Sequence, residues 1–174
     1  MRTDEGSNEE EIQVVYKVLV FSDSHGSLHN IKKVLKKNKD IDLLIHLGDI
    51  GHQEEELRML VPCGVRIFRG NCDWGSTYPD ADAFNVGPIK IFASHGHQYG
   101  VNYGYEKLYY TALENECDVA LFGHTHVPVL DEGEKVTIAN PGSIERPRQY
   151  EAQPTYLTIE IDDDGECNFE IKTV

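Results

Sequence analysis

Residues 14–27 read VVYKVLVFSDSHGS. From Val14 to Phe21 every side chain but Lys17 is β-branched, aromatic or aliphatic, which is the composition of a buried strand, and the run passes straight into a polar loop. Residues 27 to 37 then place Leu28, Ile31, Val34 and Leu35 at helical intervals with lysines between them. The strand, loop, helix phrase recurs without sequence repetition. DLLIHL at 42 to 47 runs into GDIG, residues 53 to 60 read as helix, and VRIFRG at 65 to 70 runs into NCDWG. A second set follows: IKIFAS at 89 to 94 ends in HGHQ, a helix is expected over 104 to 115, and DVALFG at 118 to 123 ends in HTH. Helix-linked strands favour a parallel sheet whose functional loops gather at the carboxyl ends of the strands. KVTIAN, TYLTIEI and CNFEIKTV have strand composition with no helix between them, which predicts an antiparallel portion. The economical architecture is an α/β sandwich of two sheets flanked by helices.

Residues able to bind a metal follow the apolar strands again and again: Asp23 and His25, Asp49, Asn71, His95, then His124 and His126. If those strands lie side by side, the donors converge. A set of imidazoles and carboxylates suits Mn, Fe, Zn or similar divalent ions, and seven donors exceed what one tetrahedral site needs, so two metals are implied. The two-residue steps Asp23 to His25 and His124 to His126 are read as extended segments whose alternate side chains project to one side, so that each pair reaches one centre.

The ordered motifs SDSH, HLGD, RGNCD, SHGH and GHTH, followed by NPGS, resemble those of the calcineurin-like metallophosphoesterases. More narrowly, they resemble the compact bacterial and archaeal phosphodiesterase branch to which the retromer scaffold subunit also belongs. The resemblance covers residues 16 to 170 and implies a four-layer α-β-β-α sandwich with two mixed β-sheets flanked by helices. Carried over by motif, it implies that Asp23, His25 and His126 hold one metal, that Asn71, His95 and His124 hold the second, and that Asp49 bridges both. Mn or Ni leads as the metal, with Zn, Fe, Co or Mg as alternatives. The expected activity is a phosphodiesterase with phosphomonoesterase side activity, acting on a small phosphodiester or nucleotide-like substrate. Cys72 stands where many larger relatives carry a histidine thought to help the leaving group, which leaves the general acid open. The rival expectation is a non-enzymatic binding scaffold on the same fold; a scaffold would tolerate replacements at Asp23, Asn71 or His126, and none is present.

Two cations about 3.5–4 Å apart polarise phosphoryl oxygens and generate a bridging hydroxide for in-line attack. Asp49, Asn71 and His97 are therefore the candidate catalytic side chains, His97 either orienting phosphate or assisting proton transfer. Cys72 reads as a buried or wall residue and not as an attacking thiolate, and His46, inside an apolar strand, as packed. His52 falls at a rim, His29 begins a helix, and Asp73 and Trp74 either shape the mouth of the site or form a loop wall or helix cap. NPGS reads as a tight turn near the metals, with Arg146 and Arg148 beyond it as phosphate anchors or surface contacts. The aromatic run GHQYGVNYG, followed by YEKLYY, either stacks a base or an aryl leaving group or packs on the sheet.

The 174 residues, 40% of them hydrophobic, suffice for one domain over residues 12–174, after an acidic, solvated extension at 1–11. A net charge of -14 disfavours a grip on duplex nucleic acid or on an anionic membrane. Much of that charge sits at the ends, with net -4 over residues 1 to 11 and net -5 over 160 to 174. Cys63, Cys72, Cys117 and Cys167 form no CxxC pair and read as reduced thiols of a cytoplasmic protein. No transmembrane span or signal peptide is read, and a homodimer is the base expectation for a small sheet protein.

Overall fold

A computed structural model describes residues 15–174. The acidic extension expected at 1–11 lies outside them. Sequence alternation within each apolar run sorts side chains onto two faces, and both faces are covered. In β1 (Tyr16–Phe21), Val18 and Val20 point between two sheets while Leu19 and Phe21 point outward to helices. The chain continues through α1 (His29–Lys37), β2 (Leu43–His46), α2 (Glu54–Met59), β3 (Gly64–Ile67), β4 (Ala81–Val86) and β5 (Ile89–Ser94). After a single 3-10 turn at His97–Tyr99 come α3 (Glu106–Glu114), β6 (Val119–Leu121), β7 (Pro128–Glu132), β8 (Thr137–Pro141), β9 (Thr155–Ile161) and β10 (Cys167–Thr173).

Two five-stranded sheets result, ordered β10-β9-β1-β2-β3 and β4-β5-β6-β8-β7. Both are mixed. Parallel pairs β1-β2, β2-β3, β5-β6 and β6-β8 form the centres, and antiparallel β9-β10, β4 and β7 complete them. Four layers follow from the packing. Ile31, Val34 and Leu57 of α1 and α2 cover Leu19, Phe21 and Leu44. Between the sheets lie Val18, Val20, Ile45, Leu47, Ile91, Leu121 and Ile159. On the far side, Leu108 and Ala112 of α3 cover Phe92, Ala120 and Phe122. This is the sandwich that the sequence led us to expect, with mixed sheets flanked by helices.

Two strands had no counterpart in the sequence reading. β4 and β7 are the outermost strands of the second sheet, only partly buried, and they carry Asp82, Asn85, Pro128, Asp131 and Glu132 where a central strand would carry apolar residues. Helices are shorter than the apolar spacing suggested. The third begins at Glu106 and not at 104, because Gly104 takes φ 155, outside the helical range.

Ile45 is fully buried in β2 at the centre of the inter-sheet core. Ile45→Ala removes three carbons there and is expected to lower the unfolding free energy by about 2–5 kcal/mol. A urea titration with an unchanged slope and a lower midpoint checks this, and an unshifted midpoint refutes it.

Candidate metal centre

The parallel strands deliver their carboxyl ends to one rim, and each of them except β8 is followed within a few residues by a donor side chain. Asp23 follows β1, Asp49 β2, Asn71 β3, His95 β5, and His124 with His126 follow β6. Backbone hydrogen bonds lock the loops together: the Asp23 N–H donates to Gly48 O (3.0 Å), the His25 N–H to Asp49 O (2.8 Å) and the Gly123 N–H to His95 O (3.0 Å).

The donors form two groups with a shared member. In the first, His126 Nε2 lies 3.0 Å from Asp23 Oδ1 and 3.2 Å from His25 Nε2. In the second, Asn71 Oδ1 lies 3.1 Å from His95 Nε2 and 2.9 Å from His124 Nδ1. Asp49 Oδ2 stands between them, 3.5 Å from His95 Nε2 and 3.9 Å from His25 Nε2. All seven residues expected from the sequence are thus brought together. His97 stands beside the second group, its ring centroid 5.4 Å from that of His95 and 6.1 Å from that of His124. Its Nδ1 is buried without a hydrogen-bond partner.

The expectation of extended Asp23–His25 and His124–His126 segments is wrong. Asp23, His25, His124 and His126 have φ of 56°, 46°, 67° and 60°, in the left-handed region, and Asp49 has 53°. The loops therefore coil at these residues. His124 and His126 turn to different groups and do not share a centre. Of the eight non-glycine residues with positive φ among those described, five belong to the donor set. Asp and His enter this region more readily than most residues, yet each still costs about 1–3 kcal/mol, and such strain concentrates at functional sites.

Hydrogen bonding fixes which atoms remain free. Asp23 Oδ2 accepts from Ser22 Oγ (2.6 Å) and the His124 N–H (3.0 Å), whereas its buried Oδ1 has no hydrogen bond. Asp49 Oδ1 accepts from the Cys72 N–H (2.8 Å), leaving Oδ2 facing the imidazoles. A carbonyl oxygen only accepts, so the contacts of His95 Nδ1 with Leu47 O and of His126 Nδ1 with Arg146 O, both 2.7 Å, place protons on Nδ1. With neutral rings, each Nε2 then points a lone pair at an oxygen lone pair. Acceptors face acceptors with no donor between them, which is the arrangement a cation completes. Asp–His groups whose donor atoms lie within 4.8 Å of one another include Asp23, His25 and His126, and Asp23, Asp49 and His95. This donor set can hold a binuclear divalent-metal centre.

Titration behaviour follows from the same geometry. Burial alone would raise the Asp23 and Asp49 carboxyls, but neighbouring imidazoles and hydrogen-bond donors hold both below the ordinary carboxylate value. Burial pulls down His25, His97 and His124. His46 is completely buried and lowered to about 4, chiefly by that burial. It accepts from the Gly48 N–H at Nδ1 and bonds Ser24 Oγ through Nε2, so it is a packed loop brace, as expected. Cys72 is exposed and not buried, so of the two expectations the wall position holds. Its Sγ reaches the neighbourhood of His25 and Asp49, yet partial desolvation and then Asp49 push its thiol up to about 11.

Several supporting residues were not anticipated. Asn102 Nδ2 contacts His124 Nε2 at 3.0 Å, and Arg69 grips Asp80 with two hydrogen bonds of 2.8 Å. Asn102 sits in the GVNYG run noted for its tyrosines, and nothing in its sequence context marks it. NPGS is not the tight turn expected: Asn140 and Pro141 end β8 and the chain turns only at Gly142 (φ 74°). The segment is anchored to the site through Ser143 Oγ, which donates to Asp23 O (2.8 Å), and Asn140 Nδ2, which donates to Gly123 O (2.9 Å).

The profile of the calcineurin-like phosphoesterase superfamily domain matches residues 16–164. The chain is 34% identical over 147 residues to the probable metallophosphoesterase YsnB of Bacillus subtilis, covering 83% of this chain and 85% of that protein. Among solved structures it resembles a conserved protein of Streptococcus pneumoniae described as a predicted phosphoesterase, with 28% identity, a TM-score of 0.76, and 92% and 99% of the two chains covered. It shares its fold with Vacuolar Protein Sorting 29 of Cryptosporidium parvum, at 21% identity, a TM-score of 0.74, and 92% and 98% coverage. A family profile spanning most of the chain, on a four-layer sandwich whose strand ends converge in two Asp and His groups, has one meaning: the chain belongs to the calcineurin-like phosphoesterase superfamily.

Proposed function

We propose that this chain is a divalent-metal-dependent phosphodiesterase that hydrolyses a small phosphodiester or nucleotide-like ester with water as nucleophile, with phosphomonoester hydrolysis as a side activity. The observation that carries this reading is the buried set of opposed acceptor atoms at the strand ends, centred on Asp23 Oδ1 and Asp49 Oδ2. Asp23, His25 and His126 would hold one ion, Asn71, His95 and His124 the other, and Asp49 both. When bound, two such ions supply Lewis-acid charge to the phosphoryl oxygens and lower the pKa of water into the neutral range. Mn or Ni is the leading choice, with Zn, Fe, Co or Mg following.

The chain's own residues do the positioning. Leu47 O and Arg146 O orient the imidazoles of His95 and His126, and the Cys72 N–H orients Asp49. Asn71 contributes an amide oxygen with no further negative charge. His97 borders the second group and serves either to orient the phosphate or to deliver the proton that the departing alkoxide requires. Cys72 stays a thiol and does not attack. Seven intact donors, five of them on strained backbone, favour turnover over a purely scaffolding role.

We place this activity in one domain, residues 12–174, acting in the cytoplasm as a monomer or homodimer without a grip on duplex nucleic acid. All four cysteines are unpaired, which suits a reducing compartment. No helix among the described residues is long and apolar enough to cross a membrane.

Chelation is expected to abolish hydrolysis of bis(p-nitrophenyl) phosphate, and adding back Mn or Ni singly is expected to restore it; an absence of turnover with any of the six metals refutes the enzyme reading. Asp49→Asn should reduce kcat/KM by more than about 100-fold and lower the bound metal, measured by elemental analysis of the folded protein, below two ions per chain. Wild-type activity and occupancy in that variant would contradict the shared role. Cys72→Ser keeps the backbone N–H that orients Asp49 and should retain activity within about fivefold, whereas a phosphorylated cysteine trapped in the wild type would overturn this.

A further inference from the structure

The turn after β3 holds an aromatic ring in an unusual setting. Asp73, only 4% exposed, accepts the Gly51 N–H at Oδ1 (3.0 Å) and the Gly70 N–H at Oδ2 (2.9 Å), tying this turn to the loop after β2. The Asp73 N–H donates to Gly70 O, the Trp74 N–H to Cys72 O and the Ser76 N–H to Asp73 O, so the backbone is fixed on both sides of Trp74. Its side chain is nonetheless 83% exposed. No ring-stacking or cation–π partner for it is found among the described residues. A large apolar surface is thus left in water on a preorganised support, although aromatic side chains gain chiefly by burial.

Trp74 lines a cleft of about 280 Å³ together with Arg69, Asn71, Asp73 and His97. That volume lies near the low end for small-ligand pockets and admits a ring system more readily than a helix or strand. Asn71 belongs to both the cleft and the second donor group, so a phosphoester anchored at that group has its substituent at the cleft. The charged members are already engaged, Asp73 by two backbone N–H groups and Arg69 by Asp80. What remains is one indole surface beside neutral polar groups, which suits an uncharged, flat, partly polar ring.

We infer that Trp74 is the stacking platform for the base of a nucleobase-bearing phosphoester, and hence a specificity-determining residue of this site. The inference rests on the phosphodiesterase reading and narrows its substrate class. Stacking acts on binding and leaves the reacting bonds untouched, so it should appear in KM and KI more than in kcat.

Adenosine 5′-monophosphate and ribose 5-phosphate share the sugar phosphate and differ at C1′, adenine in one and a hydroxyl in the other, and provide a matched pair of inhibitors of bis(p-nitrophenyl) phosphate hydrolysis by the metal-loaded protein. Trp74→Ala should weaken adenosine 5′-monophosphate about tenfold, leave ribose 5-phosphate within a factor of two or so, and raise KM for the aryl diester more than it lowers kcat. Trp74→Phe should recover most of the loss. Because Trp74 is the only tryptophan of the chain, its fluorescence reports the contact directly. Excited at the red edge of its absorption, it should be quenched by adenosine 5′-monophosphate and unaffected by ribose 5-phosphate. Equal inhibition by the two compounds in wild type and Trp74→Ala, or quenching that ignores the base, overturns the inference while turnover stands. If no metal gives turnover, the phosphodiesterase reading fails, and base-dependent quenching still decides the role of Trp74.

Discussion

Everything at the carboxyl rim of the two sheets depends on a crowding of acceptors. Asp23 and His95 are fully buried and Asp49 is nearly so, and their free atoms point at one another. Two carboxylates in a low-dielectric interior repel, and an uncompensated buried charge costs several kcal/mol. Without a metal, a proton is the available cation. Burial pulls the His95 pKa down, but Asp49 and Asp23 outweigh it and hold the imidazole above its ordinary 6.5. The pocket thus demands positive charge by its own construction, and a divalent ion satisfies that demand with more charge and from more directions than one N–H.

The backbone is shaped around the same demand. A strand that ended in an ordinary extended loop would send successive side chains to opposite sides; positive φ at Asp23, His25, Asp49, His124 and His126 coils the loops so that the donors face inward. Close approach requires missing side chains as well. A Cβ at Gly70 would collide with the Asp49 carboxylate and backbone nitrogen, and one at Gly123 would collide with Ser22 Oγ and lie 3.0 Å from Asp23 Oδ2. The glycines of RGN and FGH are spaces for the two carboxylates, which is why glycine and donor stand together in these motifs. The strain is supported by the inter-sheet core and by inter-loop hydrogen bonds such as His25 N–H to Asp49 O.

That division explains what could be read from the chain. The central strands were legible because burial on both faces leaves an apolar run such as Val18 to Phe21 or Ile91 to Ala93. β4 and β7 were not, because these two edge strands break their apolar residues with Asp82 and Asn85 in one and with Pro128, Asp131 and Glu132 in the other. Donor residues announced themselves by type and by position after a strand. Their left-handed φ did not, since the loop conformation is imposed by contacts between loops distant in sequence, and the extended reading of DSH and HTH failed for that reason. Asn102, Arg69 and Asp80 were invisible for a related reason: each acquires its role from a partner, His124 for the first and the mutual ion pair for the others.

The same distinction of scale resolves the acidic composition. A net charge of -14 describes the chain as a whole, and six of its carboxylates lie in residues 160–174, on and between β9 and β10. Those strands form the edge of the first sheet away from β3, which carries the Asn71 and Trp74 turn. Exposed charges separated by more than the roughly 8–10 Å of physiological screening contribute little to one another. Locally the count is different. The seven donors include only two carboxylates, the other five being four imidazoles and an amide, which add no negative charge. Two divalent ions held there would leave an excess of positive charge for an anionic ester, which an aspartate in place of Asn71 would diminish. Phosphate recognition in so acidic a chain therefore needs no basic groove, because the neutral donors preserve the charge of what they bind.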